Sequence, residues 1–97
     1  MANGQGQATI DFGVGLGSNE ASMIVAGQAS IGTNSNLEAY VMASDTTADH
    51  TAADHTYLGL FANFTCGTIV AGTGFTIYAR TIEKLSGTFI VRWVWSD

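Results

Sequence analysis

Residues 74–96 read GFTIYARTIEKLSGTFIVRWVWS. Phe75, Ile77 and Ala79 alternate with Thr76, Tyr78 and Arg80. After Leu85-Ser86-Gly87 the alternation resumes, with Phe89, Val91, Trp93 and Trp95 on one side. A period of two belongs to a β-strand, whose successive side chains point to opposite faces. The Ser-Gly pair between the runs reads as a turn. The stretch therefore predicts two half-buried strands in succession.

The same rhythm extends toward the N-terminus. In ATIDFGVGL (8–16), Ile10, Phe12, Val14 and Leu16 alternate with Thr9, Asp11, Gly13 and Gly15. SMIVAGQAS (22–30) and LEAYVMA (37–43) continue in this style, separated by the turn-rich IGTNSN. TYLGLFANFTC (56–66) places Leu58, Leu60, Ala62, Phe64 and Cys66 on one face of a further strand. With twelve glycines and no proline, glycine is the main turn-former. Six or seven short strands at such intervals predict an all-β chain, a small antiparallel β-sandwich of jelly-roll type. At most a turn or two of helix is expected near the histidines. Ninety-seven residues make a single β-sandwich domain over 1–97, with 1–7 as a flexible N-terminal arm.

Composition narrows the function. The net charge is −5, and the only bases, Arg80, Lys84 and Arg92, fall in the last eighteen residues. Binding a phosphate backbone takes several clustered cations, so nucleic acid is not an expected partner. The opening MANGQGQATIDF has neither the basic region nor the apolar run of a signal peptide. No stretch approaches the roughly 20 apolar residues of a membrane span, so no membrane partner is expected either. Charged residues make up only 11% of the chain against 46% hydrophobic, sparse for a solitary domain, which predicts burial of surface against other subunits.

TTADHTAADHT (46–56) holds both histidines. His50 and His55, with Asp49 and Asp54, are the weak metal candidates. Their five-residue separation suits neither helix nor strand for holding one ion, and zinc sites favour closer ligands with further Cys or His. The Asp and Thr side chains are instead expected to bind nearby backbone, with Thr51 and Asp54 forming a capping-box-like pair. No metal and no cofactor are expected. GTIVAGTG (67–74) lacks the lysine and the following helix of a phosphate loop, and no Gly-x-Ser-x-Gly elbow is present. No residue is assigned as catalytic, and the chain is expected not to be an enzyme. Trp93 is expected in the core. Trp95, near the chain end, is a candidate subunit contact with Arg92, Tyr40 and Tyr57, since Trp and Arg are enriched at interfaces.

The succession GQASI, LEAYVMA, ADHTAADH, AGTGFTIYA and LSGTFIVRWVW resembles a family of small, roughly hundred-residue virion structural proteins of tailed phages and prophages, of the capsid cement or decoration type. The resemblance spans Ala8 to Asp97. Asp54, before the second histidine, fits its pattern, whereas the proline expected near Leu16-Gly17 is missing. The resemblance implies a cement protein that bridges and stabilises the major capsid protein on the head exterior, made in the host cytoplasm and assembled as a homodimer or homotrimer. The competing expectation is a tail or receptor-binding component whose carbohydrate-binding surface uses Tyr40, Tyr57 or Trp95.

Overall fold

A computed structural model describes residues 3–15 and 17–97, with Phe61 described in its backbone alone. The two strands read first are the middle strands of two sheets. β5 (Gly74–Leu85) lies between β2 (Ser18–Val25) and β4 (Ala62–Val70), and β6 (Thr88–Ser96) lies between β1 (Asn3–Asp11) and β3 (Asn36–Tyr40). All four pairings are antiparallel. The chain is an all-β antiparallel sandwich, as the period-two pattern predicts. Its described residues hold six strands, two fewer than a full jelly roll.

The Ser86-Gly87 turn carries the chain from the centre of one sheet to the centre of the other. The alternating apolar positions of β5 and β6 thus meet across the gap: Phe75, Ile77 and Ala79 on one side, Phe89, Val91, Trp93 and Trp95 on the other, all buried. Phe75 and Trp93 stack edge to face with centroids 5.5 Å apart, which joins the two layers. The sheet margins also meet, β1 against β2 and β3 against β4.

Several expectations need correction. Residues 3–7, expected within a flexible arm, are the first half of β1, paired to β6 from Asn3↔Ser96 through Gln7↔Arg92. Composition explains why that half of the strand is so small. Gly4 lies opposite Trp95 and Gly6 opposite Trp93, and the missing side chains leave slots for the indoles. A methyl group on Gly6 would stand 2.6 Å from Trp93 Cζ2. Gly6→Ala is therefore expected to destabilise the fold by about 1–3 kcal/mol, read by urea denaturation, because a buried indole on a central strand has nowhere to go. Val14, expected inward with Ile10 and Phe12, is 91% exposed in the turn after β1. Asp11 Oδ1 accepts from the Gly13 amide at 2.8 Å and turns the chain there. Leu16 lies outside the described residues.

The largest correction is at 56–61. This segment, expected as the start of a strand, belongs to α1 (Ala52–Phe61), about three turns long. Thr51 Oγ1 accepts from the Asp54 amide, and Asp54 Oδ2 accepts from the Thr51 amide, so the expected capping pair is present and starts a real helix. His55 and Leu58, three residues apart, form its buried face, while Leu60 points outward at 78% exposure.

Candidate functional site

The segment from Asp45 through α1 is clasped to the start of β6 by side chains. Thr47 Oγ1 donates to the Thr88 carbonyl at 2.8 Å and accepts from the amides of Asp49 and His50. Asp49 Oδ2 accepts from both the amide and the hydroxyl of Thr88, at 3.0 and 2.8 Å. A segment with little strand pairing of its own is thereby fixed to a central strand.

The two histidines close on Phe89 from two directions. The His50 ring stacks on it with centroids 3.9 Å apart and planes 13° from parallel, and His55 meets it at 5.2 Å and 66°. Phe12 adds an edge contact at 5.8 Å. His50 Nδ1 lies 3.0 Å from Asp54 Oδ2, and its Nε2 lies 2.6 Å from the Ser86 carbonyl oxygen. Both partners accept, so the doubly protonated ring satisfies both bonds. His55 differs. Its Nε2 accepts from the Ile90 amide at 2.9 Å, while its Nδ1 faces the Thr51 carbonyl at 2.9 Å. Only the neutral ring with the proton on Nδ1 makes both bonds.

The metal candidates are thus brought close together, but their donor atoms are turned toward the protein. All four ring nitrogens face protein partners. One oxygen of Asp49 and one of Asp54 are each shared between two donors. Among the described residues no three His, Cys, Asp or Glu side chains form a group able to hold a metal ion. What the arrangement does chemically is fasten a loop and a helix to the sheet.

Three carboxylates in and beside the clasp are held below the usual range. Asp45 is lowered chiefly by its hydrogen bonds with Arg92, Asp49 by the hydroxyl and then the amide of Thr88, and Asp54 by His50 and then by the Thr51 amide. Folded-state values depressed below the unfolded value of about 3.9 contribute stability that is fully present above that value and lost as pH falls through the folded values. The stability that these carboxylates supply is expected to be lost below about pH 4, with a fall in melting temperature there. A melting temperature that does not fall between about pH 4 and pH 2 would contradict this clasp. Burial pushes the Cys66 thiol up, and Glu38 adds to the effect, so the sulfur stays protonated and packs as a small hydrophobe.

The interface candidates separate into two pairs. Tyr40 and Tyr57 are exposed. Arg92 is committed within the chain: its Nε and Nη2 bind the two oxygens of buried Asp45 at 2.9 and 2.7 Å, a forked pair. Trp95 is not at the surface. It is 2% exposed, seated over Gly4, and its Nε1 donates to Gln28 Oε1 at 2.9 Å. Nearness to the chain end is no guide here, because β6 runs between two neighbours.

The exposed apolar surface lies elsewhere. Val14, Ile24, Leu60 and Ile82 stand out to solvent, as does Val70 at the end of β4. The sequence signal for Leu60 was the helical spacing of His55 and Leu58, which turns the inner face away from it. Arg80 pairs with Glu20 across β5 and β2. No family model, curated protein or solved structure matches the chain.

Proposed function

We propose that this protein is a structural component of a phage-type virion, a capsid cement protein that sits on the head exterior and bridges major capsid protein subunits, working as a homodimer or homotrimer without catalysis. The observation that carries the reading is a surface poor in charge and rich in large apolar side chains. Val14, Tyr40, Tyr57 and Leu60 are exposed on a turn, an edge strand and a helix, in a chain only 11% charged. Large apolar side chains on a surface so poor in charge suit protein contacts, whose cores are depleted in charged residues. The clasp supports the same role. A helix already fixed to its sheet loses little freedom on docking, so more of the contact energy remains for binding. Each copy touching several shell subunits then adds modest contacts into a firm hold.

Two of the three bases are paired within the chain, Arg80 with Glu20 and Arg92 with Asp45, which speaks against a nucleic-acid partner and for contacts insensitive to salt. The test is binding to undecorated heads built from the cognate major capsid protein. Copies spread over the whole shell are expected, with retention little changed by added salt. Leu60→Glu is expected to abolish binding while the melting temperature moves by less than about 2 °C, because the side chain touches solvent in the isolated fold. A protein that stays monomeric at high concentration and ignores such heads, or that gathers at a single vertex, overturns the reading.

A further inference from the structure

The outer face of the β2–β5–β4 sheet carries a feature that the proposed shell contacts do not use. Strand register sets two rows across it. Ser22, Tyr78 and Thr65 lie side by side, and two residues along β5, about 7 Å away, lie Glu20, Arg80 and Asn63. These six side chains line a shallow depression of about 550 Å³, with Tyr78 41% exposed on its floor.

Two observations indicate that the depression is prepared for a ligand. The first concerns Tyr78. Its hydroxyl lies 2.6 Å from Thr68 Oγ1, which holds the far end of the ring. Thr68 makes this contact from a backbone φ of 52°, in a bulge where β4 slips register against β5. A β-branched residue in the left-handed region is strained, and a glycine there would relax it while losing the hydroxyl. Strain of this kind gathers where a side chain must be held for binding.

The second observation is charge. Among the described residues that line the depression, one cation, Arg80, is paired with one anion, Glu20. The site has no net charge to attract a phosphate, a carboxylate or an amine. Its backbone is also spent, since β5 is paired on both sides, so an added peptide strand finds no ladder. What remains is a flat aromatic ring beside a carboxylate, a guanidinium, an amide and two hydroxyls, all at a sheet surface. That set suits a ligand with an apolar C–H face and a rim of neutral hydroxyls. We infer that this face binds a neutral glycan, with a pyranose ring laid on Tyr78 and its hydroxyls bonded by Glu20, Arg80 and Asn63.

The experiment is an amide NMR titration of the full chain with neutral hexasaccharides of glucose, galactose and mannose, and with heparin as the charged comparison. Saturable shifts confined to residues 20–22, 63–65 and 78–80 are expected with a neutral sugar, and weaker effects with heparin. Tyr78→Ala is expected to weaken binding about tenfold or more, and Tyr78→Phe, which keeps the ring and frees it from Thr68, by several-fold. Thr68→Gly is expected to fold at least as well by melting temperature and yet bind less tightly, a combination that a purely structural Thr68 would not give. No shift with any of the neutral sugars, tighter binding of heparin, or undiminished binding by Tyr78→Ala would each overturn the inference. Head binding that persists in that case leaves the capsid reading standing.

Discussion

Trp95→Ala is expected to remove a large share of the protein's stability. The ring is buried in a slot that Gly4 keeps open, and its Nε1 is bonded to Gln28. Removing a buried Trp costs about 3–5 kcal/mol, the transfer energy of the ring plus the cavity it leaves. Domains of this size hold only about 5–15 kcal/mol in all. Each kcal/mol is worth about 4–8 °C in a chain this short, so the melting temperature should fall by more than about 10 °C. Trp95→Phe fills part of the slot and is expected to recover part of the loss. Thermal melts by circular dichroism decide the matter. A variant that melts like the parent but no longer associates would put the ring back at a subunit contact.

That contrast shows how far the chain could be read without coordinates. Alternation in 74–96 was sufficient to read two half-buried strands and most of their inward residues, because a strand with one face on the core and the other toward solvent alternates with a period of two. It was not sufficient for Trp95, since burial depends on which strands flank it, and the flanking β1 begins in a stretch of Gly, Gln and Asn that carries no apolar signal. Leu58, Leu60 and Ala62 alternate as a strand would, yet the segment through Phe61 is helix. The deciding information lay in Thr51 with Asp54 and in the spacing of His55 and Leu58, three residues apart. The paired acid and histidine residues were legible as a loop that binds its own backbone. Their convergence on Phe89 was not, because it joins positions 34 or more residues apart.

His55→Ala tests whether that convergence is architecture. The ring is completely buried, packs against Phe89 and bonds both the Thr51 carbonyl and the Ile90 amide. Its loss leaves the Ile90 amide without its acceptor, which costs about 1–3 kcal/mol by itself. The vacated volume beside Phe89 brings the total to about 3–5 kcal/mol. His50 is partly exposed, and its bonds to Asp54 and the Ser86 carbonyl can pass to water. His50→Ala is therefore expected to cost less than half as much. Long-range nitrogen–proton NMR adds an independent readout. His55 should carry its proton on Nδ1, the one neutral form that serves both partners. Equal losses for the two substitutions, or a proton on Nε2 of His55, would mean that the helix is not held to β6 through that ring. A large loss at His55 with the Nδ1 proton in place makes the histidine a structural pin. The exposed Tyr57 and Leu60 on the same helix then owe their fixed position on the surface to a residue that never meets solvent.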